Sequence, residues 1–347
     1  MLKPKHILLF GALIAPLLIS GCTSSTTTTP PTTTPTYYTQ TNLVSDTANF
    51  AATHTDANLV NAWGIAFGST GKPWISSNGA HSSVIYDTTG LPVLTPVTIP
   101  VPGATTGGAP SGVIFNASTT DFGGNKFIFC TEDGAIAGWA SGGAATIVSD
   151  SSGSGAVYKG IALVASSSQL YATDFHNNEI VVFDKNFNVV NHFNDGSVPA
   201  GYAPFGIQNI HDTLYVTYAL QKVGAHDDSS LASTGFVDRF TPAGVQIGGH
   251  FASGGNLNSP WGIALAPASW GQFANAILVG NFGDGKITGF TQSGTVIGQL
   301  MSSSSSVITI DGLWGISFNP AAGSDPNKLY FTAGPFEESH GLFGYLH

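Results

Sequence analysis

Only 2 of the 347 residues are cysteine, 2 are methionine, and 9% carry charge. About a quarter charged is usual for a globular chain. One cysteine, Cys22, ends an apolar N-terminal run; the other, Cys130, stands alone within "KFIFC". A disulfide framework is thereby excluded, and stability must come from packing and sheet hydrogen bonds. Cys130 reads as a small buried apolar residue of a strand. The scarcity of Lys and Arg, 10 against 20 Asp and Glu, leaves no basic cluster after the first residues. That excludes nucleic acid as a partner, because phosphate binding needs clustered positive charge. There is no G-x-S-x-G elbow, H-E-x-x-H, C-x-x-C, EF-hand loop or phosphate-binding glycine loop, so nucleotide chemistry and the common serine and zinc hydrolases are disfavoured.

What the chain has is glycine, 44 residues of it, with 19 prolines and 42% apolar residues. This is the composition of turn-rich, all-β structure with a sizeable core. The phrase "NAWGIAF" (61–67) returns as "SPWGIAL" and "GLWGISF", and aligning on its glycine gives six copies, at Gly64, Gly112, Gly160, Gly206, Gly262 and Gly315. After each glycine come two further short apolar runs, and the first five copies add a fourth, each bounded by Gly, Asn, Asp, Ser or Pro. Four strands in a repeat of about fifty residues predict a propeller blade. The sixth copy lacks its fourth run, while "NLVSD" (42–46) precedes the first copy without a blade of its own. The expectation is an all-β, six-bladed propeller of four-stranded antiparallel blades, closed when residues 41–46 complete the last one. Within the recurring phrase, period-two alternation would set Trp63, Ile65 and Phe67 towards the gap between blades and Gly64 towards the crowded axis. Trp63, Trp261 and Trp314 are accordingly expected in the core.

The first residues read as an export signal: Lys3 and Lys5, then the apolar run Ile7–Ile19. "LISGC" (18–22) resembles the lipobox of bacterial lipoproteins. That resemblance implies lipidation of Cys22 and a bacterial cell-envelope location, anchored to the membrane. The following Thr- and Pro-rich segment has too little apolar surface to fold and suits a tether. The organisation expected is a leader over 1–21, a tether over 22–39 and a propeller over 40–347.

The third copy, "LYATDFHNNEIVVFDKNFNVV" (170–190), resembles an NHL repeat. Residues 41–346 are similar to a group of exported bacterial NHL-like propellers that open with "NLVSD" and carry "LVNxWGIA". The resemblance implies a fold and an export route, and no particular activity.

In such a fold the loops joining strand d to a, and b to c, share one face. Those loops hold most of the acids, among them Asp56, Glu132, Asp133, Asp174, Asp227, Asp228, Asp284 and Glu338, and also His54, His81, His176, His226 and His340. Binding groups sit characteristically on loops held by a rigid scaffold. The residues just past each second strand are Asn78, Glu132, Asp174, Tyr218, Asn281 and Ala333. Asn78, Glu132, Asp174 and Asn281 offer oxygens suited to a hard cation such as Ca²⁺. Asp and Asn at such turns also hold their own backbone, which is the competing reading of the same residues. A similar Glu/Asn/Asp set holds the metal in gluconolactonase-type propellers. That resemblance would make Asp174 or Asp133 the base of a metal-dependent hydrolase. The longest b–c insertion, around "HDDSS" (226–230), is placed to cap the channel or touch a partner. Two functions follow as expectations: a non-catalytic module binding an envelope glycan, peptide or protein at the acidic mouth, or a Ca²⁺-type hydrolase.

Overall fold

A computed structural model describes Met1 and residues 36–347; the expected leader beyond Met1, Cys22 and the tether up to residue 35 lie outside the described residues. The described chain is almost entirely β, with only short 3₁₀ turns between strands. Six antiparallel sheets follow one another as the blades of a propeller. Their innermost strands, strand a of blades one to six, are Ala62–Phe67, Pro110–Phe115, Tyr158–Val164, Tyr202–Ile210, Pro260–Leu265 and Leu313–Phe318. Strands b, c and d step outwards from each, as in blade three with Gln169–Asp174, Glu179–Phe183 and Val189–Phe193.

Closure occurs where it was expected. Gln40–Ser45 pairs antiparallel with strand c of blade six, Leu342–Leu346, with Val44 opposite Phe343 and Ser45 opposite Leu342. Val44 and Phe343 are fully buried. A side-chain latch reinforces the seam: His340 Nδ1 lies 2.8 Å from Asp46 Oδ2, and Gly341 N–H donates to Asp46 Oδ1 at 3.2 Å. His54–Thr55 adds a short parallel fifth strand outside it.

The recurring glycines have one shared cause. A Cβ at Gly64 would stand 2.6 Å from the Ser111 carbonyl oxygen of blade two, and one at Gly315 would stand 2.8 Å from the Trp63 carbonyl oxygen of blade one. The other four meet the inner strand of the next blade in the same way, so the contacts run round the whole ring. Only a residue without a side chain lets two inner strands come so close. Hydroxyls stitch the same contacts. Thr173 Oγ1 donates to the Phe205 carbonyl at 2.7 Å, Ser111 Oγ donates to the Tyr158 carbonyl at 2.7 Å, and Thr332 Oγ1 donates to the Trp63 carbonyl.

Three sequence expectations need correction. First, every strand a carries a register irregularity at the phrase itself, between Ala62 and Ile65 in blade one and at the equivalent place in the others. A bulge interrupts alternation, so Trp63 does not share a direction with Ile65. Ile65 packs between blades, whereas Trp63 meets Trp261 and Trp314 at the axis. Second, strand d of blade four is only Ala252–Ser253, although the fourth run of that copy reads "VQIGGHF" (245–251). Gly248, at φ +74°, and Gly249 break that run, although Ile247 N–H and Phe251 N–H still donate to Arg239 and Val237. Third, Tyr37–Tyr38 lies in the folded part rather than in the tether. It pairs in parallel with Met301–Ser302, and Tyr38 is buried with its ring 4.4 Å from that of Trp270.

Replacing Gly315 by Ala forces a methyl against backbone on one side and the Thr332 hydroxyl on the other. We expect a loss of about 1–3 kcal/mol in urea unfolding. Gly143→Ala, where a Cβ meets nothing within 4 Å, serves as the neutral control.

Candidate functional site

The six residues that precede the ring glycines are Trp63, Ser111, Lys159, Phe205, Trp261 and Trp314. Because of the bulge, the four aromatic ones and Lys159 are aimed at the axis, while Ser111 turns its hydroxyl to the Tyr158 carbonyl of the next blade. Trp314 is sandwiched between Trp63 at 3.8 Å and Phe282 at 3.9 Å, both nearly parallel to it. Trp261 stands edge-on to Trp63 and Trp314, at 6.3 and 5.8 Å, and Phe205 closes the group 5.8 Å from Trp314. These rings plug the channel. Trp261 and Phe282 are only half-buried: Trp261 lines the axial cavity on the far side of the plug, whereas Phe282, on the b–c loop of blade five, is the ring on the mouth side.

One position in the plug is a lysine. Lys159 is 2% exposed, and a buried ammonium needs partners. It has them: an ion pair with Glu132 Oε1, the Trp63 ring 5.2 Å away, the Phe175 ring at 5.9 Å, and Asp227 Oδ1 at 3.8 Å. Glu132 Oε2 accepts from Asn78 Nδ2 at 2.8 Å. Next to this, Asn61 Nδ2 donates to Glu338 Oε2 at 2.7 Å, and Asn61 Oδ1 accepts from Trp314 Nε1 at 3.0 Å. The blade-four insertion reaches over the mouth, where His226 Nδ1 lies 2.8 Å from Asp227 Oδ1. It is pinned through Asp228, which is buried and accepts from Ser230 and Ser259. Side chains from all six blades thus meet above the plug, as the sharing of one face by d–a and b–c loops predicts.

Electrostatics distinguish the acids. Burial raises the Glu338 carboxyl above the ordinary glutamate value, and the Glu132 and Asp228 charges add to this against opposition from Asn61 and Lys159. Asp227 moves the other way: burial works to raise it, but the His226 hydrogen bond and the Lys159 charge carry it below the usual range. Cys130 lies apart, fully buried, its thiol pushed up to about 11 by burial. This fits a packing role.

The four oxygen donors named from sequence divide. Asn78 and Glu132 are hydrogen-bonded to each other at the mouth. Asp174 is occupied in its own turn, where Oδ1 accepts from Val157 N–H and Asn177 N–H, and Oδ2 accepts from Asn177 Nδ2. Asn281 donates to the Asn256 carbonyl and to Asp284 Oδ1. Asp133 accepts from Ala109 N–H at 2.7 Å. Among the described residues, two groups of acidic and histidine side chains have one ligand atom each within 4.8 Å of one another: Glu132–His226–Asp227 and Asp195–Asp238–His250. Sequence reasoning passed over Lys159. Its signal was there in "YKGIAL", a lysine where three of the other five copies carry Trp.

On the far side of the plug lies an axial cavity of about 620 Å³, walled by strand a of every blade and reaching the a–b turns at Ala165, His211, Asp212 and Pro320. Among the described residues, His211 and Asp212 are its titratable lining. The chemistry is therefore concentrated at the mouth above the plug.

With this geometry in hand, the chain is a six-bladed β-propeller whose axial mouth is built from every blade. It belongs to the family that includes two uncharacterized proteins of Acanthamoeba polyphaga mimivirus. It is 32% identical to R648 over 320 residues, covering 87% of this chain and 78% of that protein. It is 31% identical to L690 over 333 residues, covering 88% and 84%. No family model matches the chain. Among solved structures it resembles a streptogramin B lyase, with a TM-score of 0.55, 14% identity, and 90% of this chain and 97% of that one covered. It also resembles a catalytically inactive virginiamycin B lyase from Staphylococcus aureus bound to quinupristin, with a TM-score of 0.53, 17% identity, and 82% and 80% covered. A Bacteroides thetaiotaomicron protein of unknown function is similar at a TM-score of 0.54 and 13% identity, with 83% and 70% covered. At these identities the likeness is one of fold.

The raised Glu338 carboxyl makes a signed prediction. A folded-state pKa above the unfolded one contributes stability that is complete below the ordinary glutamate pKa and is lost as pH rises through the folded value. Glu338→Gln should therefore unfold at the same or higher denaturant than the parent at neutral pH. Its advantage should shrink to nothing on acidification below the ordinary glutamate range. A gap between the two proteins that stayed constant with pH would refute this account.

Proposed function

We propose that this chain is an exported, lipid-anchored propeller of NHL-like repeats whose mouth binds a hydroxyl-rich ligand of glycan type without transforming it. The observation that carries this is the meeting of amides and carboxylates from separate blades beside the half-buried ring of Phe282. Sugars present one apolar ring face and a rim of hydroxyls, which such a surface matches. The one ammonium of the mouth, Lys159, is spent on Glu132 and Asp227, so what the mouth offers a ligand is hydrogen bonding from amides and carboxylates rather than a free cation. The Trp63 Nε1–H is buried without a protein acceptor, a further donor unused by the fold.

A second reading has its own support. Glu132, His226 and Asp227 are close enough to share a cation, Glu338 is an acid of raised pKa beside them, and the fold neighbours include lyases. In that reading the mouth is a metal-dependent hydrolase site, with Ca²⁺ or another divalent ion held at Glu132, His226 and Asp227. In both readings the partners are small molecules or envelope polymers, with no nucleic acid or nucleotide.

Titration of tryptophan fluorescence with a panel of neutral oligosaccharides tests the binding reading. At least one is expected to bind, and Phe282→Ala should weaken it about tenfold or more. Absence of any saccharide binding, together with metal-dependent lactone hydrolysis abolished by Glu132→Ala, would replace this reading with the second. The anchor is tested separately: Cys22→Ala should move the protein from the membrane pellet to the soluble fraction, and unchanged partitioning would remove the lipid from the proposal.

A further inference from the structure

The second acidic group lies away from the mouth, at the junction of blades three and four. Asp195 follows strand d of blade three, Asp238 lies in strand c of blade four (Phe236–Phe240), and His250 belongs to the glycine-broken segment before Ala252–Ser253. The Asp195 and Asp238 side chains are 1% and 0% exposed, whereas that of His250 is 28% exposed and opens a path to solvent. We propose that Asp195, Asp238 and His250 form a binding site for a first-row divalent transition-metal ion, of which Zn²⁺ is the probe, stapling blade three to blade four.

Geometry and donor chemistry both lead there. His250 Nδ1 lies 2.9 Å from Asp238 Oδ1 and 3.8 Å from Asp195 Oδ2. Those values bracket the ligand-to-ligand edge of about 3.3 Å that follows from tetrahedral bonds near 2.0 Å. Asp195 is held from behind, as metal ligands are: Oδ1 accepts from Ser197 N–H and Oγ at 2.7 Å each, and Oδ2 accepts from Gln246 Nε2 at 2.6 Å. Imidazole nitrogen with carboxylate oxygen suits Zn²⁺-like ions better than Ca²⁺ or Mg²⁺.

Two further observations point to a missing partner. Among the described residues Asp238 Oδ2 is buried and has none. So has the hydroxyl of Tyr218, a fully buried residue on strand b. Tyr218 is the diagonal cross-strand neighbour of Asp238, since Val216 pairs with Asp238 and Tyr218 with Phe236, and the carboxylates of Asp238 and Asp195 both act on its hydroxyl. The pair is also short of positive charge: burial, then the neighbouring Asp195, raise the Asp238 carboxyl to about 7. A divalent ion supplies that charge in a fold with no internal disulfide. It does so where blade four has a two-residue outer strand.

The test uses the full-length chain, stripped with chelator and re-equilibrated with ZnCl₂, reading zinc per chain and thermal midpoint. One equivalent should bind with a rise of roughly 5 °C at a hundredfold excess over Kd. Both should be lost in His250→Ala and Asp238→Asn and kept in His226→Ala, which removes the histidine at the mouth. Stripped Asp238→Asn should melt no lower than the stripped parent, because one of two neighbouring carboxylates is gone, and this shows that the variant folds. Zinc stoichiometry unchanged in His250→Ala would overturn the proposal. So would a parent protein that is stabilised by acid but not by zinc, which would assign the pair a shared proton instead.

Discussion

Everything in this molecule hangs on how closely six inner strands approach one another around an axis. The contact is backbone against backbone, and a single methyl would intrude on it. That requirement explains the glycine at each repeat. It also explains the bulge beside it, which lets the chain keep its ladder to strand b while passing the neighbouring blade. The bulge in turn decides which side chain reaches the axis. The plug of Trp63, Phe205, Trp261 and Trp314 and the Lys159 within it are consequences of the spacing between blades as much as of local preference.

From the plug, the character of the mouth follows. An ammonium held at the axis among aromatic rings draws carboxylates from blades two and four, and the amides of Asn61 and Asn78 tie blades one, two and six to the same network. Structural and ligand-facing roles are therefore not separable by residue here. Trp314 stacks, accepts a place in the core and donates to Asn61; Glu132 neutralises Lys159 and orients Asn78. The blade-four insertion, longest of the b–c loops, is anchored by Asp228 to Ser259 of the next blade and so lies across the opening.

Much of the architecture was legible before any coordinates. The phrase around Gly64 repeats because its contact repeats, and the orphan segment at 42–46 announced closure because an apolar strand needs a sheet. What was illegible has physical reasons. Alternation assumes an unbroken ladder, so the bulge reversed the expected direction of Trp63. Asp174 and Asn281 read from sequence equally as ligands and as turn-holders, because both roles use the same atoms, and only the structure shows which loop groups they hydrogen-bond. Asp195, Asp238 and His250 are spread over more than fifty positions and two blades, and a lone Asp within "FVDRF" carries no sign of its partners. Tyr37–Tyr38 was assigned to the tether because it adjoins a polar run, whereas its packing against Trp270 depends on a residue more than two hundred positions away.

The seam at Val44 and Phe343 joins residues almost 300 positions apart. At ribosomal speeds of about 5–20 residues per second, the amino-terminal partner waits roughly 15 s or longer for its mate to be made. Through that interval Leu43 and Val44 are apolar and unpaired. The last blade is then incomplete, and its strand Leu342–Leu346 has an open edge the moment it emerges. That open edge accepts the same ribbon of a second molecule as readily as its own, so the seam is where an exchange of strands between copies would begin.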